Sequence, residues 1–142
     1  MKDRTSAVFG NAMTPAVRAS AQKKKAGYLK KYGSGALDLG AEPLRIGSIP
    51  NPALGEALGV RNLTIDGSGE PVDAARGMVI GNIRMGYGHY RIAMAMASAI
   101  RHRGFIPYWF DLNGFSDTVA GRVVSHLNDL YSFGSRLSQK NA

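Results

Sequence analysis

The densest set of groups able to hold a ligand lies at residues 84–91, with Arg84, Gly86, Tyr87, Gly88, His89 and Arg91 in one short stretch. Glycines at 86 and 88 let backbone pass close to a ligand with no Cβ in the way. A helix beginning near His89 would aim free backbone N–H groups and a partial positive charge at the same space. Arg84, His89 and Arg91 add cationic donors if they point inward. The assembly suits a phosphate, a diphosphate or a polar sugar.

The glycine spacing matches a G-x-G-x-x-G dinucleotide fingerprint only in its first two glycines, because Arg91 stands at the third position. Asp111 follows Gly88 by 23 residues, near the offset of an acid that bonds a ribose hydroxyl. No G-K-S/T follows the glycines, so a P-loop nucleotide triphosphatase is not indicated. His89 has two readings: a donor or base toward a ligand, since imidazole titrates near neutral pH, or a cap on its helix. His102, between Arg101 and Arg103, reads as a solvated residue at a helix end, and His126 lies in the middle of a helix. The three histidines are not spaced as a metal site. Asp111, Asp117 and Asp129 are too scattered to name a carboxylate pair. No cofactor is called for.

These residues need elements to position them. Gly77 to Ile83 is a short apolar run that predicts a strand buried on both faces. A turn follows, and Tyr90 to Arg103 predicts a helix with Ile92, Met96 and Ile100 on its apolar face, widened by Ala93, Ala97 and Ala99. Gly104 is placed to end it in the left-handed conformation. Phe105 to Phe110 predicts a second strand, beginning in earnest at Tyr108 because of Pro107. Asp117 or Thr118 can cap a second helix running to about Phe133, with Val119, Val123, Leu127 and Leu130 on one face. The order strand, glycine loop, helix, strand, helix predicts an α/β fold, an incomplete Rossmann-like domain over residues 77–142.

Residues 1–76 read as a basic, Gly/Pro-rich leader, largely irregular. Lys23, Lys24, Lys25, Lys30 and Lys31 are interleaved with Tyr28 and Tyr32, either a solvated arm or a contact to phosphates or an acidic membrane surface. Pro43, Pro50, Pro52 and Pro71 forbid long elements. Short strands or turns fit around Leu44–Ile49 and Asn62–Ile65, and the run from Asp66 to Gly69 reads as a turn. Two strands alone make a poor sheet, so the sequence reads as a piece of a longer protein or as one that pairs with another chain.

The formal net charge is +8, which favours anionic partners. Residues 1–76 hold 11 basic and 7 acidic residues and residues 77–142 hold 7 and 3, so each part carries +4. The absence of cysteine rules out disulfides and thiolate metal sites. It is compatible with a reducing cytoplasm. No apolar run approaches the roughly 20 residues of a membrane span. The expected location is cytoplasmic or peripheral to a membrane.

The stretch Gly86-Tyr87-Gly88-His89-Tyr90-Arg91 and the alanine-rich helix after it resemble the amino-terminal glycine-rich loop of monogalactosyldiacylglycerol synthase-like glycosyltransferases, where G-x-G-H precedes such a helix. The aromatic strand ending in Asp111-Leu112 is similar to that family's second strand. The resemblance covers about 60 residues from Gly77 onward. It implies a glycosyltransferase-B architecture, with this chain as part of the acceptor-side domain. Gly86, Gly88 and His89 would form the loop against donor phosphates and acceptor, with His89 as the catalytic candidate. The implied partners are a nucleotide-sugar, a lipid or other acceptor, and a second domain or partner chain. The chain departs from the family pattern in its long leader and in the bulk of Tyr90 and Arg91. A stand-alone nucleotide- or dinucleotide-binding module is the second expectation. A nucleic-acid-binding protein ranks last, because nothing after Gly77 resembles such a module.

Overall fold

The computed structural model describes residues 7–8, 11–65, 67–83, 87–111 and 113–140. Strands β1 (Ala7–Val8) and β2 (Asn11–Ala12) form a small antiparallel pair, followed by helix α1 (Pro15–Tyr32). Strand β3 (Ile46–Pro50), helix α2 (Gly55–Leu58), strand β4 (Arg61–Ile65) and strand β5 (Glu70–Pro71) come next. The remainder is strand β6 (Gly77–Asn82), helix α3 (Tyr87–His102), strand β7 (Ile106–Asp111) and helix α4 (Val119–Lys140). The protein is a mixed α/β fold around a five-stranded mixed sheet of order β5-β3-β4-β7-β6.

β6 and β7 are parallel and joined through α3, and they pair from Gly77 opposite Ile106 to Asn82 opposite Asp111. β7 also pairs in parallel with β4, while β3 runs antiparallel to both β4 and β5. Pro107 is inside β7 rather than before it. It is tolerated there because β4 begins pairing only at Tyr108, so at Pro107 the strand has a neighbour on one side alone.

The Gly/Pro-rich leader is more regular than its punctuation suggests. It supplies three of the five strands and the 18-residue α1. The prolines and glycines shorten these elements without abolishing them. Gly67 and Gly69 turn the chain at φ of 71° and 89°, and Arg61 then ties three strands together. Its guanidinium donates to Oγ and the carbonyl of the buried Ser48 at 3.0 and 3.1 Å and pairs with Glu70 at 2.8 Å. α1 starts from Thr14 and Pro15, a cap and first-turn proline. Its alanines and lysines are good helix formers, but it buries no residue.

α3 begins at Tyr87, earlier than expected, and buries Ala93, Ala97 and Ile100 against Ile80, Trp109, Val60 and Leu54. Ile92 and Met96 are largely exposed, so the buried face is rotated from the expected one. The alanines let the helix close on the sheet, and the bulkier residues turn outward. Gly104 follows α3 with φ of 81°, the left-handed ending its sequence predicted. Thr118 caps α4 as expected, accepting from the Gly121 N–H at 2.9 Å, while Asp38 accepts from the Val119 N–H at 2.8 Å. α4 runs on past Phe133 to Lys140. Its start lies on the sheet face opposite α3, beside Phe110, Leu63 and Ile46.

Candidate functional site

A cleft of about 700 Å³ opens at the carboxyl ends of β6 and β7. In open sheets with parallel strands, this end is where ligands bind. Side chains alternate along a strand, so Ile80 and Asn82 of β6, and Trp109 and Asp111 of β7, share the face that α3 covers. Ile80 and Trp109 go into the core. Asn82 and Asp111, one step further along, reach the cleft. The chain thus places the first polar residues of both strands at one rim.

Asn82 is 7% exposed, and its Oδ1 has no hydrogen-bond partner. A buried acceptor left in that state costs about 1–3 kcal/mol. It stands on the cleft wall with Tyr87 and Tyr90 from the first turn of α3. The Tyr90 ring leans on Trp109 at 5.4 Å between centroids, with the planes at 51°. Trp109 is buried, so this contact fixes Tyr90 to the core beneath it.

The opposite wall comes from the segment between β3 and β4. Asn51 donates through Nδ2 to Asn62 Oδ1 at 2.8 Å and accepts at Oδ1 from the N–H groups of Ala53 and Leu54 at 3.0 and 2.8 Å. That side chain holds the turn 51–54 in place and leaves the Asn62 amide as a polar group on the wall. Pro52, Ala53 and Ile49 make the rest of it apolar. Among the described residues, no lysine or arginine lines the cleft. The first turn of α3 borders the same cleft through Tyr87 and Tyr90. A helix leaves its first four N–H groups without intrahelical partners and carries a partial positive charge at that end, and among the described residues those groups belong to Tyr87, Gly88 and His89.

The sequence-predicted residues divide as follows. Tyr87 and Asp111 line the cleft. Gly88 is in the first turn of α3 rather than in a loop before it. A Cβ built there meets no atom within 4 Å, so neither conformation nor internal packing demands glycine. His89 and Arg91 are exposed on α3, and the structure does not bring them to the cleft wall. Arg84 and Gly86 lie outside the described residues. Asp111 has a local duty as well, since its Oδ1 accepts from the Asn113 N–H at 3.0 Å and so shapes the turn after β7. Sequence reasoning missed Asn82, Tyr90, Asn51 and Asn62. The available signal for Asn82 was its place as the first polar side chain after the apolar run of β6.

Fold and cleft together define an α/β protein with a ligand-sized opening where two parallel strands end against a helix start. The chain belongs to a family described as a domain of unknown function (DUF6937), whose model matches residues 7–142. Comparison with curated proteins and with solved structures found no match. Among the described residues, no helix is long and apolar enough to cross a membrane.

Proposed function

We propose that this chain is a Rossmann-like binding unit of glycosyltransferase type, holding the phosphate and sugar groups of a nucleotide-sugar or of its acceptor at the carboxyl ends of β6 and β7. The observation that carries the reading is the unpartnered Oδ1 of the buried Asn82 beside the first turn of α3. An acceptor in that position calls for a donor, and a ligand hydroxyl supplies one. The N–H groups of Tyr87, Gly88 and their neighbours call for an anion. A hydroxyl and a phosphate within one ligand describe a sugar phosphate or a nucleotide. The apolar wall and Tyr87 offer surface for a base or a sugar ring.

In sugar transfer, the bond between the anomeric carbon and the diphosphate oxygen breaks, and an acceptor oxygen bonds to that carbon. Negative charge grows on the departing diphosphate, and amides at a helix start stabilise such charge because they are already oriented. The acceptor hydroxyl loses its proton to a base. The experiment is a thermal-shift panel of UDP, UDP-glucose, UDP-galactose, NAD and inorganic phosphate on the wild type and on Asn82→Ala. A ligand at 100 times its Kd adds about 2.7 kcal/mol to stability. A rise with UDP or a UDP-sugar that Asn82→Ala removes supports the reading. No rise with any ligand at millimolar concentration refutes it.

A second reading, a stand-alone nucleotide- or dinucleotide-binding module, draws on Asp111 at the end of β7, the place of a ribose-binding acid. A response to NAD and none to UDP-sugars favours it.

A further inference from the structure

α4 carries a feature that the cleft does not use. Ala120, Leu127 and Gly134 recur at intervals of seven, as do Val123, Leu130 and Leu137, and the two sets interleave at steps of three and four. All six lie in one continuous helix. This is the spacing of the a and d positions in helices that pack along one another at 3.5 residues per turn. Near the start of α4, Val123 and Val124 are half-buried, Val124 beside Phe110, while Ala120 is exposed. Leu127, Leu130 and Leu137 are 49%, 53% and 44% exposed, and Tyr131 beside them is 54% exposed.

α1 does not fill the seam. It holds α4 at the flank of the seam, with the Tyr32 ring on His126 at 5.8 Å and Arg122 Nη1 donating to the carbonyls of Tyr32 and Ser34 at 2.8 and 2.7 Å, and leaves Leu127, Leu130 and Leu137 exposed. Nor does the single chain account for Gly134. A glycine inside a helix costs about 1 kcal/mol relative to alanine, yet a Cβ at Gly134 meets nothing within 4 Å. A second helix approaching closely at that seam position would use the missing side chain.

We propose that the seam is an interface between two copies of this chain, α4 packing on α4. Charge fits this occupant. From residue 119 to residue 138 no lysine, arginine, aspartate or glutamate falls on the seam or at the positions flanking it, so two chains of net charge +8 meet there without opposing like charges. Area fits as well. Half-exposed large side chains offer about 100 Å² each. Leu127, Leu130, Tyr131, Phe133 and Leu137 from two copies therefore bury on the order of 1,000 Å², and flanking groups bring the total toward the 1,200–2,000 Å² of stable interfaces.

The test is sedimentation equilibrium of the full chain at micromolar concentrations, for the wild type and for Leu130→Lys. The expected wild-type mass is twice 15.2 kDa. Leu130→Lys is expected to raise the dissociation constant at least about tenfold while leaving the circular dichroism spectrum unchanged, because Leu130 is exposed in the single chain. The chain has no cysteine, so Leu130→Cys provides a second readout that does not depend on a destabilising charge: oxidation is expected to give a covalent dimer. A monomeric wild type at about 100 μM overturns the proposal, whether or not that monomer binds vesicles of anionic phospholipid, and so does a dimer that Leu130→Lys leaves intact.

Discussion

Replacing Asn82 by leucine separates stability from binding, because the two are expected to move in opposite directions. In the folded chain Asn82 is 7% exposed and its Oδ1 is unpartnered. Desolvating that oxygen without a hydrogen bond costs about 1–3 kcal/mol. Leucine is similar in branching and has no polar atom to desolvate, and the cleft leaves room for its methyl groups. The expected gain for Asn82→Leu is about 1–2 kcal/mol, the cost of the orphan less some strain from the larger side chain. For a chain of this length, 1 kcal/mol corresponds to about 3–5 °C in Tm, so the variant is expected to melt several degrees higher.

Binding should fall at the same time. A ligand hydroxyl that donates to Oδ1 loses its partner, and a lost hydrogen bond of about 1.4 kcal/mol is a tenfold change in Kd. Differential scanning calorimetry of wild type and Asn82→Leu, each with and without the UDP-sugar that gives the largest shift, reads both quantities. A drop of more than about 2 kcal/mol in the stability of the unliganded variant would mean that Asn82 is satisfied within the folded chain. That result would remove the reason for placing a ligand hydroxyl there. A stabilised variant with unchanged ligand affinity would refute the placement by the other route.

Gly88→Ala is expected to be neutral or stabilising by up to about 1 kcal/mol, because its Cβ meets nothing in the folded chain; the same variant should weaken phosphate-dependent thermal shifts, which titration with inorganic phosphate checks. Tyr108→Phe removes the hydroxyl that accepts from the Asp73 N–H at 2.9 Å beneath the sheet and is expected to cost about 1–2 kcal/mol in urea unfolding. Asp73 itself gives a pH dependence: hydrogen bonds from the Arg76 backbone N–H, and then from its guanidinium, hold the carboxyl below its ordinary value. The stability this adds is present above the ordinary carboxylate range near pH 4 and is lost as pH falls below it, so Tm profiles of wild type and Asp73→Asn should converge in acid.

Local patterns in the sequence reached as far as local physics does. The strands at β6 and β7, the cap at Thr118 and the left-handed ending at Gly104 are each decided within a few residues, and all are present. But β6 is not buried on both faces: it lies at the sheet edge with Met78 and Val79 exposed. The leader was harder because its strands hold only through partners distant in sequence. β3 and β4 are five residues each, β5 is two, and what joins them is register plus Arg61 reaching both Ser48 and Glu70. Prolines and glycines signal where such strands stop, and they carry no information about which strands will meet. The rotation of α3 has the same origin. Period alone centred its face on Ile92 and Met96, but closeness to the sheet selects the smallest side chains, and Ala93 and Ala97 take that side.

The candidate site shows the same division more sharply. Glycines near a helix start are a backbone signal and can be seen in one dimension, so the stretch around Gly88 pointed to the end of the sheet where the cleft opens. An asparagine at the end of a strand is unremarked in a sequence, because in an open chain water would satisfy it. Asn82 becomes informative only when the fold buries it on the cleft wall and leaves its oxygen without a partner. This unpartnered oxygen at the cleft is therefore created by tertiary packing. His89, although conspicuous by type, sits on the exposed side of the same turn. Chemical type marked the region, and desolvation chose the atom within it.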